Sequence, residues 1–207
     1  VTVVTMGLPK AADVLREAMA MGADKGVLIT DRVLGGADTW ATSTTIAGAL
    51  RGMEYDLIIT GRQAIDGDTA QVGPQIAEHL GIPQVSYAEE LTADGDSLIV
   101  KRQFEDRYQK IRVKTPCLIT ALSEIAEPRY MTVGGTIDAY AKEIKVLGFE
   151  ELKDKLNPEH IGLKGSPTNV VKSFTKQAKG AGEVLKDASA DDAVKAIIAK
   201  MEEKHII

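Results

Sequence analysis

Three short apolar runs, "VTVVT", "GVLIT" and "YDLIIT", alternate with three stretches of helical periodicity over residues 1–80. This alternation constrains the fold more than any other feature. Strands separated by helices cannot close tight hairpins, so they pair in parallel and are covered by helices on both faces. Residues 1–5 are therefore predicted to form a strand buried on both faces. In the helix that follows, Ala11, Val14, Leu15, Ala18 and Met19 fall at i, i+3, i+4, i+7 and i+8, and Gly22 stands where a glycine ends a helix. Asp38 is placed to cap a second, small-residue helix that runs to about Leu50. Ligands of such a sheet bind outside the carboxyl ends of its strands. The strand-exit loops "TMGLPKA" and "TGRQAIDGDTA" are thus expected on one face.

After Pro83 the pattern becomes an alternation of apolar and polar residues around a "DGD" turn at 94–96. Two or three antiparallel strands are expected there, then a buried strand at about 118–121. From about Glu143 the chain is Lys-rich and interrupted by Gly and Pro. Residues 158–182 look unable to pack on themselves, and a closing helix carries Ala193, Ile197 and Met201 on one stripe. The expected fold class is α/β: a doubly wound, mostly parallel sheet with an antiparallel strand addition and an extended C-terminal arm. The expected division is a nucleotide-binding α/β domain over 1–142 and an arm over 143–207. Because the chain opens directly on a strand with no Met, a preceding segment is expected to be missing.

A formal net charge of −5 argues against a nucleic-acid surface, and no apolar run approaches the ~20 residues of a membrane span. No signal-peptide pattern is visible. Cys117, the single cysteine, lies in the apolar run "PCLITAL" and is read as a buried, inert thiol, which fits a reducing, cytoplasmic setting. His79, His160 and His205 share no ligand-like spacing, so zinc and haem are not expected. No serine sits in a "GxSxG" elbow. Trp40 and the methionines Met6, Met19 and Met21 are read as core.

The loop in "TGRQAIDGDTAQVGPQIAEHL" joins the third strand to the third helix and is almost free of positive charge. Gly67 and Gly73 let the backbone approach a ligand, and Thr69 is placed to cap the helix and to donate a hydroxyl. A helix starting between Thr69 and Pro74 aims unpaired N–H groups outward and binds an anion without a lysine. The loop is neither a Walker A motif nor a dinucleotide fingerprint. Asp66 and Asp68 either pin the turn, contact a ribose, or grip a metal; a metal pair would need further acids, and none is evident. In "EPRYMTVGGTIDAYAKEI", exposed Arg and Tyr suit a binding hot spot, and an ordinary loop with a helix cap reads equally well.

Together, "MGADKGVLITDR", "GADTWATSTTIA", "GRQAIDGDTAQVGPQIAEHLGIPQ", "VKRQFEDRYQKIRVKTPCLIT" and "EPRYMTVGGTIDAYAKEI" resemble, in order and along almost the whole chain, the β (small) subunits of the electron-transferring flavoprotein family. The resemblance implies an adenine-nucleotide α-hydrolase-like fold and a heterodimer with an α subunit that carries FAD. That family begins with a further βα segment holding part of the adenine site, which this chain is expected to lack. The pocket of the β subunit holds AMP in ordinary members and a second FAD in electron-bifurcating ones. There NADH reduces that flavin, which sends one electron towards ferredoxin or flavodoxin and one to the α-subunit FAD. By this resemblance Gly61, Arg62, Gln63, Ala64, Ile65, Asp66, Gly67, Asp68, Thr69, Ala70, Gln71 and Val72 would wrap the phosphates and ribose. Met6 would line the adenine side. "DGDTAQVGP" is closer to the bifurcating and nitrogen-fixation-linked members than to the mitochondrial type, which favours FAD over AMP. Pro128, Arg129, Tyr130 and Val133 match the loop that anchors an acyl-CoA dehydrogenase, with Val133 where many members carry leucine. The arm would wrap the α subunit. The implied role is an electron carrier subunit with no catalytic side chains of its own, any NADH oxidation being flavin chemistry in the complex. The alternatives are a structural AMP-binding and docking subunit, and a stress-protein-like ATP binder, whose glycine-rich phosphate loop this chain lacks.

Overall fold

A computed structural model describes residues 1–175, 177, 178, 180, 182–186 and 188–207. It divides into two compact units, Val1–Asn169 and Val170–Ile207.

The first unit follows the expected alternation. Strand β1 (Thr2–Met6) leads to helix α1 (Ala12–Ala20), β2 (Lys25–Ile29), α2 (Thr39–Leu50), β3 (Leu57–Gly61) and α3 (Val72–Leu80). Next come β4 (Gln84–Asp94), β5 (Ser97–Phe104), β6 (Arg107–Lys114) and β7 (Cys117–Ala121), then α4 (Val133–Ala141), β8 (Ile144–Leu147) and α5 (Phe149–Leu152). The caps expected at the end of α1 and the start of α2 are in place. The Asp38 carboxylate accepts from the Ala41 N–H at 3.0 Å, and Gly22 adopts φ +116°, a conformation that favours glycine.

The α/β class and the parallel pairing are as expected, but the ladders fall into two sheets instead of one. The first is parallel, in the order β1-β2-β8. The second runs β3-β7-β4-β5-β6, with β3, β7 and β4 parallel and β4, β5 and β6 antiparallel. β1 and β3 are each an edge of their sheet. For that reason β1 is only half-buried, not buried on both faces, and Ile59 of β3 is 58% exposed. The stripe on α1 is narrower than its period suggested: Leu15 and Met19 are buried, whereas Val14 is exposed.

Helix α2 is enclosed almost all round, with Ala41, Ser43, Thr45, Ala47, Gly48, Ala49 and Leu50 buried. Its small side chains permit this, and the buried Thr45 hydroxyl is satisfied within the helix, donating to the Ala41 carbonyl at 2.8 Å. A Cβ on Gly48 would lie 2.4 Å from Leu156 Cδ2, so α2 carries a later segment of chain against its backbone.

Residues 143–169, expected in the arm, pack on the first unit. β8 pairs with β2, and Leu147, Leu152, Leu156 and Ile161 share a core with Val27, Ile29 and Leu34. Burying each such side chain contributes about 2 kcal/mol. Asp31 ties the two ends together: its carboxylate accepts from the Phe149 N–H at 3.0 Å and the Val33 N–H at 3.2 Å. These amides, Phe149 foremost, hold its carboxyl below the usual range.

In the second unit, α6 (Ala190–Glu203) is capped by Ser189, whose hydroxyl accepts from the Asp192 N–H at 3.2 Å. None of its residues is buried, and Val194, Ile197 and Ile198 stand exposed. Residues 176, 179, 181 and 187 of the expected arm lie outside the described residues.

Candidate functional site

β3 ends at Gly61 and α3 begins at Val72, so the loop singled out in the sequence stands at the carboxyl end of a parallel strand. The N-terminus of α3 differs from those of α2, α4 and α6 and shares with α1 the lack of a side-chain cap. Asp38, Thr132 and Ser189 cap α2, α4 and α6 through their side chains, whereas the N-cap of α3, Gln71, makes no such bond and its first turn holds no acid. Thr69, expected as the cap, lies three positions before the helix. The first amides of α3 are therefore free of side-chain acceptors and electrostatically suited to an anion.

Two strands set the position of that helix start. A Cβ on Gly73 would lie 2.5 Å from Thr60 Oγ1 and 2.8 Å from Thr120 Cγ2. Only glycine lets the helix backbone rest directly on the ends of β3 and β7. Thr120 Oγ1 in turn accepts from the Tyr87 N–H at 2.9 Å, and Thr60 Oγ1 is buried without a partner. On the other side, Thr39 Oγ1 donates to Gln71 Oε1 at 2.9 Å and Ser43 Oγ to Gln75 Oε1 at 3.2 Å, fastening α3 to α2.

Within the loop, Asp68 acts on the turn itself. Its N–H donates to the Ala64 carbonyl at 3.0 Å and its carboxylate accepts from the Gln63 amide. Asp68 and Ala70 adopt φ of +51° and +53°, left-handed values that cost non-glycine residues of order 1 kcal/mol each. Gly61 and Gly67 face open space, and Ile65 is fully exposed. Met6 closes β1, half-buried against the core that contains Val27 and Ile29. Among the described residues no three His, Cys, Asp or Glu side chains are grouped to hold a metal.

A cavity of about 510 Å³ opens beside the loop. Arg62, Gln63, Ile65 and Asp68 form one wall; Gln103 of β5 and the β7 exit, Ala121 to Glu124, form the other. The second wall was missed from sequence, although the rule that found the loop applies equally to the exit of "PCLITAL". The Glu124 carboxyl is held below the usual range by its own backbone N–H first, then by the Ser123 hydroxyl and Arg62.

The proposed docking residues are displayed together. Tyr130 is 93% and Val133 82% exposed, and Val133 is the first residue of α4. Arg16 of α1 donates to the Ala139 and Lys142 carbonyls at the end of α4 and lies 5.6 Å from the Tyr140 ring centroid. Cys117 is buried, and burial pushes its thiol up, as expected for an inert cysteine. Trp40, read as core, is instead partly exposed, its ring 4.6 Å from that of His79 in an edge-on contact. No helix is long and apolar enough to cross a membrane among the described residues.

A family model described as "Electron transfer flavoprotein domain" matches residues 1–151. Over 208 residues the chain is 52% identical to the electron transfer flavoprotein subunit beta of Clostridium acetobutylicum, covering all of this chain and 79% of that protein. It is 48% identical to subunit CarD of the caffeyl-CoA reductase-Etf complex of Acetobacterium woodii, with the same coverage. It is 51% identical over 213 residues to the acryloyl-CoA reductase electron transfer subunit gamma of Anaerotignum propionicum, again covering all of this chain and 79% of that protein.

Proposed function

The chain belongs to the electron transfer flavoprotein family, as a β subunit whose function is electron transfer, and we propose that its β3–α3 loop holds FAD. The uncapped N-terminus of α3 at the carboxyl end of β3 carries this reading. Phosphates accept from its free amides, and the Gly73 seat fixes those amides against the sheet. Residues 61–72 wrap the phosphates and ribose, and Met6 lines the adenine side. Bound FAD supplies the redox chemistry; the protein supplies binding, orientation and electrostatics. AMP in the same pocket is the second reading, since it needs the same phosphate seat.

NADH is the proposed donor. The proposed partner is an α subunit, wrapped by the arm expected from residue 143 onward and here assigned to the unit Val170–Ile207. Exposed Val194, Ile197 and Ile198 on α6 support that role. An acyl-CoA dehydrogenase or reductase is proposed to dock at Pro128, Arg129, Tyr130 and Val133. The names of the Acetobacterium and Anaerotignum relatives, each tied to an acyl-CoA reductase, support this choice. Ferredoxin or flavodoxin is the proposed low-potential acceptor, and the cytoplasm the proposed location.

The test is to purify the chain with its α subunit, denature the complex and quantify released nucleotides. Two FAD and no AMP per heterodimer is the expected result. One FAD with one AMP would replace the FAD reading with the AMP one, and an empty β pocket would sink both.

A further inference from the structure

Tyr87 of β4 adopts φ +59°, a left-handed value that a bulky side chain rarely takes. It stands where β4 skips a step: its register shifts against β7 between Val85 and Ala88, and against β5 between Ala88 and Glu90. Both flanks are held. Val85 pairs with Ile119 and Ala88 with Ala121, and the Ala88 carbonyl accepts from the Leu122 N–H at 2.9 Å. In this conformation the Tyr87 N–H donates to Thr120 Oγ1 at 2.9 Å. Thr120 is buried, and that N–H is the partner its hydroxyl needs. The bond also settles which way the side chain faces. With Oγ1 held, the methyl has one direction left, and Cγ2 lies 2.8 Å from where a Cβ on Gly73 would stand. Thr60, which pairs with Thr120 across β3 and β7, reaches the same point, but its Oγ1 has no partner among the described residues. Of the two supports beneath the first turn of α3, only Thr120 is locked by a hydrogen bond.

We propose that Thr120 is a positioning residue of the phosphate seat, locked by the bulge at Tyr87. The Tyr87 N–H holds the Thr120 hydroxyl, the Thr120 methyl sets how closely Gly73 rests on the sheet, and Gly73 carries the first amides of α3 with it. Neither residue touches the nucleotide in this role. The inference rests on those amides binding phosphate, and it gives the strained turn of β4 a task at that site. Because the seat is common to both nucleotides, FAD and AMP depend on it alike.

The test uses the full chain with its α subunit, the β pocket stripped of nucleotide, and titrates FAD and AMP separately. Thr120→Val keeps the shape and removes the acceptor, which frees the bulge. It is expected to weaken both nucleotides by about tenfold. Thr120→Ser keeps the acceptor and is expected to hold both within about threefold of the native complex. Native affinity in Thr120→Val would overturn the proposal, as would a Thr120→Ser variant no better than it. Val100→Ala separates positioning from stability, since Val100 is fully buried in the core shared with Ala88 and Ile119. It should lower the thermal midpoint yet leave both affinities within about twofold. A loss of binding equal to that of Thr120→Val would mean that affinity merely follows stability, and the proposal would fall. Gly73→Ala closes the cycle: its loss of binding should be smaller in the Thr120→Ser background than in the native one, and equal losses would show that Thr120 does not act through Gly73. If the native complex binds nucleotide and Thr120→Val binds it as well, only this inference fails. If the native complex binds neither FAD nor AMP, the seat itself fails.

Discussion

Gly73 is held to glycine by side chains that arrive from far along the chain. Thr60 closes in from β3 and Thr120 from β7, and together they occupy the space that a Cβ would need. Gly73→Ala should therefore destabilise the protein by about 2 kcal/mol through overpacking, read from urea unfolding, and should lower nucleotide content by lifting the first amides of α3. Sequence reading selected this glycine for a related but different reason, the approach of backbone to a ligand. It could not see Thr120, which is 47 residues away in the chain and is brought close only by the β3–β7 pairing. Thr69 shows the reverse. A hydroxyl before a helix is a good cap signal, yet the helix starts later, because Gly73 and not a cap decides where backbone meets sheet.

The helices and strands of the first 80 residues were legible because each carries its own period or apolar run. The seam between α2 and α3 was not, since beside the apolar cluster of Leu50, Ile76 and Ala77 it rests on single polar contacts across two helices. His79 Nε2 lies 3.2 Å from Thr44 Oγ1, its ring meets Trp40 edge-on, and its carbonyl accepts from Arg51 at 2.7 Å. Burial first, then the Arg51 charge, hold the imidazole below its ordinary value, with Glu78 opposing them. The folded state thus prefers neutral His79. Its contribution is complete above the ordinary histidine value, declines as the pH falls through that value, and is spent below the depressed one. Thermal melts of the native protein and His79→Gln should show the native protein losing more stability between about pH 7.5 and about pH 5. Parallel curves would mean that the ring does not titrate against this seam. The segment 143–169 was misplaced for a similar reason. Leu147, Leu152, Leu156 and Ile161 follow neither a helical nor a strand period, and only their shared contact with Val27 and Ile29 makes them core.

At the scale of the molecule, the compact units meet between Asn169 and Val170, not at residue 142. The core clusters of the first unit draw on no residue beyond Ile161. Ending the chain at Asn169 should thus leave the unfolding midpoint of the α/β unit within a few degrees of the full chain while abolishing co-purification with the α subunit. A large drop in the midpoint would show that the second unit stabilises the first. Composition signalled a change of character in the last third of the chain, but a Lys-rich stretch reads alike whether or not a few of its leucines are buried. The two sheets have a consequence of a different kind, for the life of the protein in solution. β6 ends its sheet on Arg107, Lys110, Arg112 and Lys114, charges that repel an incoming strand. β1 and β3 end theirs on "TVVTM" and "LIITG", without one charged side chain. The margins are therefore unlike: along β1 and β3 the open ladders carry no charge to repel a further strand, whether it comes from another segment of the protein or from a second molecule.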